Sequence, residues 1–423
     1  MHRNWPAVRV YLAVQLLQAV ADSAVFTIVA VYYVRVVGMS PFELVLVGTF
    51  MEAAIFLFEI PTGVVADVYS RRLSVITGWT IMGGAVVVVG LAASAPVILI
   101  AWAVWGLGYT FTSGAWQAWL TDEIGVDAVG PVFIRGSRIS YAGAILGTVG
   151  GVVLAATVSL GFAVCVGGGV TLVTAALAAA TMPEAGFQRQ PRGEQRRRDQ
   201  LLETATAATR LIRAKPLLLV LLAIFFFAGA STEAFDRLFE AHLLRDVGLP
   251  KIGSLDPVYW FGIFSLAGMA LGFVLSTLLL RRMRAAGHRS LATTLLLLTA
   301  LELAGLTVFA LAGSLAVAIA GLYLYSAGRG LANPLSMTWL NQNIPDSSVR
   351  ATVISISGQS DAIGQVAGGP GIGALGSLVS LRAALLAGAA LLAPAVGLFG
   401  RALRHRGHEP ELEELSTPVD ATS

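Results

Sequence analysis

Long apolar runs alternate with short polar breaks along the whole chain. Runs of about 20 residues, the length that crosses a bilayer as a helix, fall at 9–37, 42–66, 73–94, 97–120, 138–159, 162–182, 217–243, 257–280, 290–312, 314–338, 350–375 and 379–400. The pattern predicts an all-α membrane protein with twelve transmembrane helices, and an even number puts both termini on one side. The longest polar stretch, 183–216, divides the chain almost in half. It begins with the solvated run RGEQRRRD and passes into LLETATAATRLIR, where Leu201, Ala205, Ala208 and Ile212 share one helical face. The expected organisation is a six-helix half over 1–182, a linker with an amphipathic surface helix over 183–216, a second six-helix half over 217–400 and a tail over 401–423. The tail, EPELEELSTPVDATS, is acidic and reads as disordered.

Composition settles the class, because 56% of residues are hydrophobic and only 13% charged, against roughly 25% charged in soluble domains. Charge placement sets the direction. Of the 28 Lys and Arg, 22 fall in segments on the side of the termini, whereas the opposite side has only Arg35, Arg245, Lys251 and Arg382. By the positive-inside rule both termini are cytoplasmic, in a multi-pass protein of a bacterial cell membrane. Arg3, Arg9 and Ala19-Val20-Ala21 imitate a signal peptide, but the apolar run continues to Val37, which favours a retained spanning helix. A single cysteine, Cys165, rules out a disulfide framework. Neither Lys215 nor Lys251 sits in a Gly-rich phosphate loop, so no nucleotide motor is expected and the energy must come from a gradient. Gly371-Ile-Gly373-Ala-Leu-Gly376 follows no strand and is not a dinucleotide site. The histidines show no metal spacing, and nothing forms a nucleic-acid-binding face. The expected partners are a small-molecule substrate, protons or another coupling cation, and the bilayer, with no cofactor and a monomeric chain.

An internal repeat supports two similar halves. Arg35-Val-Val-Gly38 recurs as Arg245-Asp-Val-Gly248 and Arg71-Arg72 as Arg281-Arg282, both at an offset of 210 residues, and Trp119-Leu120 recurs as Trp339-Leu340 at 220. Between the second and third helices lies GVVADVYSRR, in which Gly63, Asp67, Arg71 and Arg72 match the signature of the major facilitator superfamily at that loop. Val68, where the family usually has a basic residue, and Ser70, where it usually has Gly, depart from it. The chain resembles that superfamily throughout its length, and within it the drug/proton antiporters of multidrug efflux. The resemblance to that branch is incomplete. The family's arginine before a Gly-x-Gly in the fourth helix would fall at Trp102, and the glycine pattern of the fifth helix survives as GAILGTVGG without its proline. Gly143, Gly147 and Gly151 there also fit simple close helix packing.

The resemblance implies alternating access, with Asp67, Arg71, Arg72 and Gly63 as a cytoplasmic latch to which Glu59 adds. Asp22 lies midway along the first helix with no neighbouring charge, and a lone carboxylate at that depth suits a proton carrier. Glu233, Asp236, Arg237 and Glu240 share one stripe of the seventh helix, with Glu233 about 24 Å along it from Leu217. Either this stripe faces a water-filled cavity or the helix leaves the hydrocarbon near Asp236. Glu52, Arg329 and Asp361 complete the expected proton and substrate pathway, and Glu302 has no evident role. Trp102, Trp105 and Tyr109 could line a cavity for a flat or cationic molecule, or serve packing. Trp116 and Trp119 are expected in the interfacial belt. The function these residues suggest is proton-coupled efflux of amphipathic small molecules or drugs. The alternatives are cation-coupled uptake of a metabolite and a non-transporting sensor or scaffold.

Overall fold

The structure is a computed structural model that describes residues 5–187, 206–207, 209–251, 253, 255–283, 288–344 and 347–403. Twelve long helical spans form one bundle: α1 (Trp5–Tyr32, prolonged by a wider turn Tyr33–Val37), α2 (Pro41–Val68), α3 (Arg71–Leu91), α4 (Ala95–Thr112, resuming as Ala115–Ile124), α5 (Val126–Thr157), α6 (Leu160–Thr181), α7 (Pro216–His242, prolonged as Leu243–Val247), α8 (Val258–Met283), α9 (His288–Ala310), α10 (Leu315–Gln342), α11 (Ser347–Leu378) and α12 (Leu381–Ala402). Eleven of them are long and apolar enough to cross a membrane. The other, α11, has 32 residues but carries Gln359, Asp361 and Gln365 along its length.

Local chemistry sets the breaks. Ser40 caps α2 in a reciprocal pairing with Glu43, and Pro41 occupies the first turn. Ser70, Ser159 and Ser380 cap α3, α6 and α12 by accepting a backbone N–H. Gly38 and Gly248 end α1 and α7 at φ 75° and 77°, where a side chain would be strained. The fourth span is interrupted at Ser113 and Gly114, a break that its apolar pattern does not announce. α5 starts at Val126, ahead of the expected residue 138, because Val129 and Val132 bury against the bundle and carry the helix through its polar beginning.

The two halves pair their helices alike. Gly143 and Gly151 of α5 lie so close to α1 that an added Cβ would meet the Leu16 carbonyl oxygen at 2.7 Å and the Ala24 Cα at 2.8 Å. Gly368 of α11 meets the Ala230 carbonyl oxygen of α7 at 2.8 Å in the same way. Small residues on one helix thus let the next approach to backbone contact in both halves. The contact between α2 and α11 joins them.

The repeated Trp-Leu pairs are core. Trp119, Leu120, Trp339 and Leu340 are all at most 1% exposed. The expectation that Trp116 and Trp119 belong to an interfacial belt is therefore corrected. Trp116 is buried between Tyr11 and Trp119 and donates to Gln15 Oε1 at 3.0 Å, while Trp119 donates to the Pro183 carbonyl at 2.6 Å. Their N–H groups find partners inside the bundle, which removes the reason for an indole to sit at a wet interface. In the linker, Leu201, Ala205 and Ala208 lie outside the described residues, as do the acidic tail from 404 and Arg3; Ile212 is buried beside α7 and α9.

Candidate functional site

α7 does not end at its charges. It runs through Glu233, Asp236, Arg237 and Glu240 to His242, and Glu233 and Glu240 are 1% and 4% exposed. Glu233 and Glu240 are therefore internal, while Asp236 between them is exposed and Arg237 partly buried. Glu233 Oε2 and Arg237 Nε lie 3.5 Å apart, close enough for an ion pair but not aligned as a hydrogen bond. The pair packs against Gly48 of α2, where any added Cβ would strike both side chains. One turn away, Asp236 accepts from Arg329 of α10 at 2.6 Å, and Arg329 also donates to the Tyr325 hydroxyl at 3.1 Å. On α11, Asp361 accepts from Gln365 at 2.8 Å. Glu52 is half-buried on α2, within electrostatic reach of Arg237, Asp361 and Glu59. The bundle thus brings together all but one of the expected pathway residues.

Asp22 stands apart. It lines a cavity of about 370 Å³ with Gln15, Gln18, Phe26, Trp105 and Tyr109, and makes no hydrogen bond or ion pair with the described residues. Among the described residues no Lys or Arg lines that cavity. Trp105 and Tyr109 stack at 5.6 Å along its wall. Trp102 does not join them there. It is 2% exposed, donates to the Tyr33 hydroxyl and borders a small side pocket of about 50 Å³, so its aromatic surface serves the core.

At the end of the bundle nearer the termini, Arg71 Nη1 donates to Asp122 of α4 at 2.6 Å, and its Nη2 lies 3.7 Å from Asp67. Ser70 donates to Glu184, which also accepts from the Arg72 backbone at 3.0 Å, and Arg72 donates to the Ala179 carbonyl at 2.6 Å. These bonds stay within the first half of the chain, Glu184 lying just beyond α6. Glu59 takes no part: it accepts from Gln359 of α11 at 3.1 Å. Eight residues of helix, about 12 Å, separate it from Asp67, and this corrects its assignment to the latch. The space beside Gly63 is open, so packing does not demand a glycine there.

The opposite end is closed by ties between the halves. Arg35 pairs with Asp256 at 2.6 and 3.1 Å, Arg245 donates to the Met39 carbonyl at 2.8 Å, and the Phe42 amide donates to Ser377 at 2.9 Å. Burial works against the Asp256 anion, but the Arg35 hydrogen bonds and the Val258 amide outweigh it and hold its carboxyl below the ordinary 3.8. Asp122, Glu184 and Asp256 escaped the sequence reading because an acid in a polar break looks solvated. Glu302 is 5% exposed on α9, within electrostatic reach of Arg329 and Asp236, because Gly328 lets α10 lie against its backbone.

The sequence matches the Major Facilitator Superfamily over residues 11–359. A curated relative, an uncharacterized MFS-type transporter, YxaM, of Bacillus subtilis (strain 168), is 25% identical over 104 residues, which span 25% of this chain and 26% of that protein. The matched region is thus about a quarter of the relative's length. Among solved structures, a nucleoside transporter, NupG, superposes with a TM-score of 0.75 at 11% identity, covering 96% of this chain and 100% of that one. A bacterial homolog to the human lysosomal transporter Spinster superposes at 0.73 with 16% identity, covering 96% and 98%. A peptide transporter POT in complex with sulfate gives 0.74 at 13% identity, covering 94% and 93%. At these identities the likeness is one of fold.

Proposed function

The chain belongs to the major facilitator superfamily and is a multi-pass membrane transporter, and from that premise we propose that it is a proton-coupled exporter of amphipathic small molecules. Asp22 carries this reading. It is a carboxylate midway along α1, without a partner among the described residues, facing a cavity that has aromatic walls and, among the described residues, no Lys or Arg. In a low-dielectric setting such a group is costly as a bare anion and is relieved by a proton or by a cationic cargo. Competition between the two for one carboxylate is antiport. Glu233, which Arg237 already neutralises, tunes the charge preference of the pathway, and Glu52, Asp236, Arg329 and Asp361 set its polarity.

Both termini are taken as cytoplasmic, so the ties at Arg35 and Arg245 close the outer side while the Asp22 cavity occupies the inner half. Arg71, Arg72, Asp67 and Asp122 form the latch region of the first half, which rearranges when the inner side closes. Uptake is the second reading, favoured by the missing arginine at Trp102 and by the nucleoside and peptide transporters that share the fold. The sign of a pH gradient separates the two. In proteoliposomes, antiport predicts that an acidic lumen drives accumulation of a permanently charged amphiphile, which does not follow the gradient passively. Symport predicts that an alkaline lumen does so. A response to sodium alone would contradict proton coupling.

A further inference from the structure

The proposed export, on which this inference rests, leaves open where the charged end of a cationic cargo is held away from Asp22. A second cavity, of about 360 Å³, is walled by α1, α7, α8 and α10, and Phe26 separates it from the Asp22 cavity. Phe235, Phe239, Phe261 and Phe264 line it. Phe239 meets Phe261 at 6.4 Å and Phe261 meets Phe264 at 6.2 Å, both edge to face, so the wall is a continuous aromatic surface. Among the described residues no Lys or Arg lines it. Its one carboxylate is Glu240, 4% exposed, whose Oε2 has no hydrogen-bond partner among the described residues. Glu240 also borders the adjacent small pocket, which it shares with Arg237 one turn away, but Arg237 does not line the aromatic cavity and its Nε lies 3.5 Å from Glu233.

An orphaned buried acceptor in a native protein calls for a partner. Ring faces carry negative potential and attract cations, most of all alkylated ones that shed water easily. Carboxylate and rings together make a cavity that is short of positive charge. A metal ion would require several more oxygen ligands than one carboxylate and a few hydroxyls offer. A neutral or anionic cargo would leave Glu240 unmatched. The volume falls in the range of small-molecule sites. We propose that this cavity is a binding subsite for the charged end of an amphipathic organic cation, a quaternary ammonium or phosphonium, with Glu240 as the counter-charge and the phenylalanines as its walls.

The test is equilibrium binding to the full-length protein in nanodiscs without any gradient. Tetraphenylphosphonium is the cationic probe and triphenylphosphine oxide the neutral one. Wild type should prefer the cation, and Glu240→Gln should weaken cation binding by about tenfold while leaving the neutral probe unaffected. Glu240→Asp should keep most of the preference, and Phe261→Ala should reduce it with the carboxylate intact. Should Glu240→Gln fail to fold, the Asp and Phe261 variants decide the matter. No cation preference in wild type, or unchanged cation binding in Glu240→Gln or in Phe261→Ala, overturns the subsite. Neither result touches proton coupling, which is read separately from gradient-driven transport.

Discussion

Arg35 and Arg245, which occupy equivalent places in the two halves, each reach across to the opposite half: Arg35 to Asp256, and Arg245 to the Met39 carbonyl. Each sits in a widened helical turn that ends at a left-handed or otherwise positive-φ glycine. The seal is therefore reciprocal, with each half holding the other by the same sequence feature. The Arg35–Asp256 pair is about one-third exposed, so its loss should cost only about 1 kcal/mol, or about fivefold in the closed-to-open ratio at that end. Double electron–electron resonance between spin labels at the far ends of α1 and α8 should show Asp256→Asn shifted toward longer distances. The charge swap Arg35→Asp with Asp256→Arg should reverse the shift. Because folding and closure hold the Asp256 carboxyl below its ordinary value, this contribution is present above about pH 4 and is lost as pH falls through the lowered value. An unchanged distance distribution in both the variant and acid would remove the pair from the seal.

Gly48 faces the Glu233–Arg237 pair across the interface between α2 and α7. An alanine there has no room unless the ion pair moves, which should cost about 1–3 kcal/mol. Gly48→Ala should lower the melting temperature and slow transport. Truncation by Glu233→Ala removes the obstacle, so the double variant should be less than the sum of the two. Strict additivity in thermal melts would mean that the contact does not exist in the working protein.

Arg71 lies nearer to Asp122 than to Asp67, at 2.6 against 3.7 Å. Asp122→Asn should therefore lower transport turnover at least as much as Asp67→Asn, with little change in substrate affinity, since none of these groups lines the Asp22 cavity. A double-mutant cycle of Arg71→Ala with Asp122→Asn should give a coupling of about 1 kcal/mol. Intact turnover alongside collapsed affinity would sink the latch.

What could be read in advance follows from what lipid demands. A bilayer needs about 20 continuous apolar residues for each span, so the spans and their paired halves were visible, as were the charges inside them. Partner choice was not visible. Asp236 and Arg329 are 93 residues apart, and only the packing of α7 on α10 makes them a pair. Glu302 had no evident role until the close approach at Gly328 brought Arg329 within its reach. The aromatic content of the fourth span was plain, but sequence alone could not divide it into cavity wall (Trp105, Tyr109 and, at its buried edge, Trp116) and core (Trp102, Trp119).

The central claim is that Asp22 exchanges protons with its cavity in each cycle. Asn keeps the shape and hydrogen-bonding capacity of Asp but cannot titrate. The deciding measurement is accumulation of a permanently charged amphiphile in proteoliposomes with an acidic lumen, wild type against Asp22→Asn. Wild type should concentrate the probe against its gradient, while the variant should only exchange it across the membrane at equal concentrations. If Asp22→Asn still concentrates the probe in response to the pH gradient, Asp22 is not the proton carrier and the account fails at its centre.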